Sequence, residues 1–163
     1  MPGWFESLAV WLENTQAATS VRQSLWLYPV IQVIHIVGIV VLVGPAMIFD
    51  MRLLGFAGKL SVYDVKRYTI PLSKIGFIIT VVSGFSLFIA HATDWVVNPL
   101  FWLKIFFILL AVINAVLFSK YTIKKIGRHE ADGLISNSAR ISGTLSLLFW
   151  LLIIIAGRFL AYY

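Results

Sequence analysis

The stretch from Ser24 to Gly55, SLWLYPVIQVIHIVGIVVLVGPAMIFDMRLLG, decides the class of this protein. Between Leu27 and Phe49 it contains no Asp, Glu, Lys or Arg, and it is long enough to cross the hydrocarbon core of a bilayer as a helix. His35 and Gln32 nevertheless lie well inside it. A polar side chain at that depth has lost its water and needs a partner, so His35 is a candidate functional residue.

The composition of the chain indicates an integral membrane protein with one domain, residues 1–163. Hydrophobic residues make up 60% and charged residues 12% of the chain, and the mean hydropathy is +0.92, whereas soluble domains carry about 25% charged residues. The chain has no cysteine, which excludes disulfides, thiolate metal sites, iron–sulfur clusters and a cysteine nucleophile. It also has no sequence motif of a hydrolase or of a phosphate-binding loop.

Four apolar segments predict an all-α fold, a four-helix up-and-down bundle in the membrane. We expect spans at about residues 24–52, 72–93, 100–120 and 142–162. A short amphipathic helix at residues 3–15 is expected to lie in the interface, with Trp4 and Trp11 at headgroup level. Residues 15–24 read as a polar linker and residues 93–99 as a turn. Asn114, inside the third span, is expected to hydrogen-bond across helices.

The positions of the basic residues predict the orientation of the bundle. The first and third loops hold ten of the thirteen Lys and Arg residues: Arg52, Lys59, Lys66, Arg67, Lys74, Lys120, Lys124, Lys125, Arg128 and Arg140. The positive-inside bias places both loops in the cytoplasm and both termini outside. We therefore expect a multi-pass protein of the bacterial inner membrane, in contact with lipid. The net charge of +6 does not indicate nucleic-acid binding, because these residues lie beside the hydrophobic segments. His129 lies in the third loop and is expected to be solvated.

Each predicted span carries one imidazole or cationic side chain toward the outer side: His35, His91, Lys104 and Arg158. Such residues are costly in a membrane, so their collection on one side indicates a shared site. Two imidazoles on neighbouring helices can ligate a haem iron, with Lys104 and Arg158 at the propionates. Gly38 and Gly84 would leave space for a flat macrocycle, although small residues equally allow close helix packing.

The depths of His35 and His91 limit this interpretation. Counted from Leu27, His35 lies about 10–12 Å below the outer end of its helix, whereas His91 ends its own, so their depths differ by about 9 Å. A tilted haem would accommodate this difference in depth. A haem ligated by His35 alone, with its other face open, would avoid it. Copper is an alternative metal, because imidazole suits both copper and iron.

Two further interpretations use the same residues. Lys104 and Arg158 can form a pocket for an anionic or quinone-type ligand. In the purely structural interpretation, His35 hydrogen-bonds to Gln32 or Asn114, and the other members of the set lie at the interface and contact headgroups.

Three segments carry a resemblance to known families. They are HIVGIVVLVG with DMRLLG in the first span, WLKIFFILLAVINAVLF in the third and FWLLIIIAGRFLAY in the fourth. They resemble an uncharacterised bacterial family of small four-span membrane proteins and, more distantly, the membrane domains of CopD-type copper proteins and HemJ-type protoporphyrinogen oxidases. The matching positions are His35, Arg52 with Leu53, and Lys104. The resemblance implies haem or another porphyrin near His35, with copper as the alternative. This chain lacks a histidine-rich or methionine-rich copper segment, and its AGR motif with Arg158 fits the small family better than HemJ.

These observations predict a haem b-binding membrane protein that takes part in electron transfer at the outer face, as a membrane oxidoreductase of cytochrome b type. The expected metal ligands are His35 and His91, and the expected cofactor-binding residues are His35, His91, Lys104, Arg158, Gly38 and Gly84, with no separate catalytic residue. A quinone or a periplasmic electron carrier is the expected redox partner, and the chain is expected to act as a homo-oligomer or within a larger membrane complex. A copper-handling protein of CopD type and a non-catalytic membrane subunit are the alternatives.

Overall fold

Long apolar helices make up most of the structure, a computed structural model that describes residues 3–56, 58–122 and 135–162. Four helices are long and apolar enough to cross a membrane. They are α3 (Leu27–Leu53), α4 (Val62–Ala90), α6 (Pro99–Leu117) and α7 (Asn137–Phe159), and the shorter helices are α1 (Trp4–Glu13), α2 (Gln16–Gln23) and α5 (Ala92–Val97). The prediction of an all-α four-helix membrane bundle is confirmed. His129 and its basic neighbours in the third loop lie outside the described residues.

Helix boundaries differ from the predicted ones where the helical sequence is polar. Helix α4 begins at Val62 and not near residue 72, because the Ser61 side chain caps it by accepting a hydrogen bond from the Tyr63 N–H. The predicted linker forms α2, whose first turn is capped by Thr15. The predicted turn after His91 forms α5. Polar and short helices have no long apolar run, so hydropathy does not mark them.

Helices α3 and α4 form an antiparallel pair whose backbones touch at Gly76. A Cβ atom on Gly76 would lie 2.3 Å from the Leu42 backbone nitrogen of α3, so only glycine fits there. One turn further along α4, Thr80 lies against Gly38 of α3, where a Cβ would be 2.8 Å from the Thr80 Oγ1 atom. These contacts fix the relative depth and rotation of the two helices.

A hydrogen-bonded pair joins α6 to α7. The Asn114 Nδ2 atom donates to the Ser142 carbonyl oxygen at 3.0 Å, and the Ser142 hydroxyl donates to Asn114 Oδ1 at 3.0 Å. The prediction that Asn114 bonds across helices is therefore confirmed. The α3–α4 and α6–α7 pairs meet where Gly143 of α7 approaches the Asp50 carbonyl of α3. A core cluster beside this contact consists of Phe49, Leu53, Val62, Phe118 and Ala139.

Glu13 joins helices α1 and α2 to the end of the bundle that lies away from the Gly143–Asp50 contact. Its carboxylate accepts hydrogen bonds from the backbone N–H and the hydroxyl of Thr93, at 3.0 and 2.5 Å. Arg22 of α2 pairs with Glu13 at 2.9 Å and also donates to the Ala90 carbonyl oxygen at the end of α4. Trp4 and Trp11 remain 66% exposed, as an interfacial helix requires.

Candidate functional site around His35

His35 lies half-buried on the face of α3 that packs against α4. Its Nδ1 atom is 3.0 Å from the Ser83 Oγ atom. The imidazole ring fills the space beside Gly84, where a Cβ atom would lie 2.9 Å from His35 Cε1. Glycine at position 84 therefore makes room for the ring, and the serine beside it sets the orientation of the ring.

The hydrogen bonds of Ser83 assign the tautomer of His35. The Ser83 hydroxyl has one proton, and it donates that proton to the Ile79 carbonyl oxygen at 2.6 Å. We infer from this that the same oxygen accepts a hydrogen bond from His35, with the imidazole proton on Nδ1. In the neutral ring Nε2 then carries the lone pair. Besides Ser83, the ring has a hydrogen bond with the Thr80 backbone.

Lys104 of α6 is the charged neighbour of this imidazole. Its ammonium group lies close enough to His35 for the two to interact electrostatically. The Nζ atom packs against Gly157 of α7, 3.5 Å from the position that a Cβ would take. Lys104 forms no ion pair in the part of the chain that the structure describes, where the ion pairs are Arg22–Glu13 and His91–Asp94.

The His35 cluster thus consists of His35, Ser83, Gly84, Lys104 and Gly157, and all four spanning helices contribute to it. It combines an imidazole lone pair with a lysine amine that has no carboxylate partner among the described residues. A lone pair on imidazole binds a metal ion, and an ammonium group pairs with an anion. Ser83 holds the ring as the outer hydrogen-bond partner of a metal-ligating histidine does. Ser83 and Gly157 are not among the residues predicted from the sequence, although glycine inside a spanning helix is itself a signal of close approach.

His91 lies outside this cluster. Its ring meets the Tyr28 ring edge to face, with centroids 5.5 Å apart, and its Nδ1 atom is 3.7 Å from Asp94 Oδ2. Tyr28 is seven residues before His35 on α3, and His91 is seven residues after Gly84, which contacts His35. At 1.5 Å per residue the two imidazoles are roughly 10 Å apart along the bundle. Two metal–nitrogen bonds of roughly 2 Å each do not span that distance, so the structure does not bring the two predicted ligands to one iron.

Arg158 and Gly38 also have other neighbours than the predicted ones. The Arg158 guanidinium donates to the Tyr162 hydroxyl at 2.6 Å and lies over the Tyr162 ring, 4.8 Å from its centroid. It is exposed at the end of α7, one residue after the glycine that Lys104 contacts. Gly38 serves close packing, because Thr80 of α4 occupies the space beside it. Of the predicted residues, the structure brings His35, Gly84 and Lys104 together.

The end of the bundle that carries α1 and α2 has a separate polar group around Glu13. The Thr93 hydroxyl, the Thr93 backbone N–H and the Arg22 guanidinium all stabilise the carboxylate, so they lower the pKa of Glu13 below its usual 4.5. His91 also acts on Glu13 electrostatically. These residues link α1, α2, α4 and α5, which indicates that they hold the interfacial helix in place.

The described residues contain no group of three or more His, Asp or Glu side chains arranged to hold a metal ion. A metal bound at His35 would therefore have fewer than three ligands of these residue types among the described residues, as the iron of a haem can. Comparisons with protein-family models, with curated proteins and with solved structures gave no match for this chain. The resemblance based on the three segments accordingly stays a prediction, and the function has to be inferred from the residues.

Proposed function

We propose that this protein binds haem b through His35 and takes part in electron transfer at the outer face of the bacterial inner membrane, with both termini extracytoplasmic. The observation that carries the proposal is the orientation of His35. Its Nδ1 atom is engaged by Ser83, its ring is held against Gly84, and Nε2 keeps a lone pair inside the membrane. A half-buried imidazole in this tautomer would hold the haem iron through Nε2.

Lys104 supplies the second feature that suits a haem. A haem propionate is an anion that would pair with the protonated Lys104 side chain, which lacks a carboxylate partner among the described residues. In this proposal Lys104 pairs with one propionate and so fixes the orientation of the porphyrin. When bound, the haem supplies the one-electron iron couple, and the residues of the His35 cluster bind it and exclude water.

His91 does not fit as the opposite ligand, because it lies roughly 10 Å from His35 along the bundle. The proposal therefore uses one histidine of this chain and leaves the other face of the porphyrin open. The outer position of the site favours a quinone or a periplasmic carrier as the redox partner, and the ten basic residues of the first and third loops favour the orientation.

An absorption spectrum with a pyridine haemochrome assay tests the proposal. Protein purified from haem-sufficient cells should show a Soret band, which His35→Ala should abolish and the matched control His91→Ala should retain. Equal loss in both variants would contradict ligation by His35 alone. A wild-type protein without a Soret band would overturn the proposal of haem binding. Copper without iron in elemental analysis would favour the copper-handling alternative.

A non-catalytic membrane subunit is the second candidate, and one observation favours it. The ring of His35 fills the space at Gly84 and has a hydrogen-bond partner in Ser83, so it already joins α3 to α4 without a ligand. This alternative predicts a colourless protein whose thermal stability falls in His35→Ala. The haem proposal predicts in addition that the stability of the wild type depends on haem supply.

A further inference from the structure

Asp50 is a carboxyl group buried in the membrane-spanning part of α3, away from the His35 cluster. It lies three residues before the end of the helix and is 6% exposed. Its Oδ2 atom is buried and has no hydrogen-bond partner within the described residues. Such groups are rare in spanning helices because they are costly there, and their presence indicates a function.

Among residues 3–56, 58–122 and 135–162, Asp50 has a hydroxyl group as a neighbour and forms no ion pair with a cation. Gly143 of α7 approaches its backbone, with the position of a Cβ 3.2 Å from the Asp50 carbonyl oxygen. Ser146, one turn further along α7, faces the carboxyl group. Arg52 is close in sequence, but its Nε atom donates to the Leu60 carbonyl oxygen. Asp50 takes part in none of the ion pairs found in residues 3–56, 58–122 and 135–162.

An ionised carboxylate in this position would be a buried, unpaired charge. The free energy of such a charge in an apolar environment is so unfavourable that the group binds a proton instead. The Ser146 hydroxyl acts as a donor to the carboxyl group, which favours the ionised form, but burial is the larger effect. Burial therefore favours the protonated form, and so do the unpartnered oxygen and the missing ion pair, both of which hold for the part of the chain that the structure describes.

We propose that Asp50 is a proton-binding site. The carboxylate takes a proton from hydronium to give the acid and water, and releases it in the reverse reaction, with no change in oxidation state. The site lies near the end of the bundle that carries the α3–α4 loop, because Asp50 is three residues before the end of α3. It is independent of the proposed haem, which would lie at the other half of the bundle.

Infrared spectroscopy of the purified protein tests this proposal through the C=O stretching band of a carboxylic acid, which ionised carboxylates lack. The wild type at neutral pH should show the band, and it should shift in D₂O and disappear reversibly at alkaline pH. Asp50→Asn should remove it. Asp64→Asn, which changes an exposed carboxylate in the first turn of α4, should leave it unchanged. Ser146→Ala should shift its frequency, because the hydrogen bond of the carboxyl group changes.

Several outcomes would overturn the proposal. They are no band at neutral pH, a band that survives in Asp50→Asn, a band that neither exchanges in D₂O nor titrates, and a band that vanishes when Na⁺ replaces K⁺ at constant pH. The last of these would identify a cation site. If Asp50→Asn does not fold, Asp50→Glu serves in its place, since it should shift the band rather than remove it.

Discussion

The Nδ1 atom of His35 lies 3.0 Å from the Oγ atom of Ser83, and the proton of that serine is donated to Ile79. The first spanning helix therefore carries the imidazole, while the second sets its orientation and its tautomer. Gly84 completes the arrangement because any side chain at that position would displace the ring. The nitrogen left with a lone pair is Nε2, and it is the atom on which the proposed function depends.

The tautomer of His35 is the first testable consequence. We expect ¹⁵N NMR of histidine-labelled protein at neutral pH to show His35 protonated at Nδ1, because Ser83 accepts from that atom. Ser83→Ala removes the acceptor and should yield a mixture of tautomers. Ser86→Ala is the control, since the Ser86 hydroxyl donates within its own helix to Val82. A His35 resonance protonated at Nε2 in the wild type would refute the assignment.

Gly76→Ala tests the contact between α3 and α4. The added Cβ would lie 2.3 Å from the Leu42 nitrogen, so the helices have to separate. We expect a loss of about 3 kcal/mol in the free energy of unfolding, measured by denaturant titration in detergent. Gly58→Ala is the control, because a Cβ there meets its nearest neighbour at 3.9 Å. Equal stability of both variants would mean that the helices are not held this closely.

Acid should release helix α1 from the bundle. The folded pKa of Glu13 is lowered, chiefly by the Thr93 hydroxyl, so its contribution to docking is present above the usual pKa of 4.5 and is lost as the pH falls through the lower folded value. The protection of the α1 amides against hydrogen exchange, measured relative to their intrinsic rate at each pH, should be high at neutral pH and low well below pH 4.5.

Two variants separate Glu13 from the general effects of acid. Glu13→Gln should give fast exchange of the α1 amides at neutral pH as well, since the amide cannot pair with Arg22 as a carboxylate does. Glu6→Gln should not, because Glu6 bonds only to Gly3 within the same helix end. Slow exchange in Glu13→Gln at all pH values would show that other contacts hold α1.

Asn114→Ala should loosen the α6–α7 pair. It removes two hydrogen bonds to Ser142 and should lower the free energy of unfolding by about 1–2 kcal/mol, the range found for interhelical hydrogen bonds in membranes. Thr144→Val is the control, since the Thr144 hydroxyl donates to Arg140 of its own helix. Its effect, read from the same unfolding titration, should stay below about 0.5 kcal/mol. A larger effect of the control than of Asn114→Ala would contradict the role of this pair.

The candidate site could be predicted in part from the sequence. His35 and Lys104 stand out as polar residues within apolar helices, because their cost in the membrane does not depend on their partners. Their neighbours Ser83 and Gly157 carry no such signal, since serine and glycine are common in spanning helices. The sequence also groups His91 and Arg158 with them, because all four side chains lie toward one side of the membrane. Side chains on one side need not share one depth, so this grouping does not show which of them meet.

By itself the sequence determined the four spans, the all-α class and the residues that cannot face lipid without a partner, since each depends on local hydropathy along one helix. The tertiary structure alone decided which of these residues meet. Gly76 and Gly38 set the depth and rotation of α3 against α4, and that register places His35 beside Gly84 and His91 beside Tyr28. Contacts between helices depend on close packing of side chains distant in sequence, and no local property of the chain encodes them.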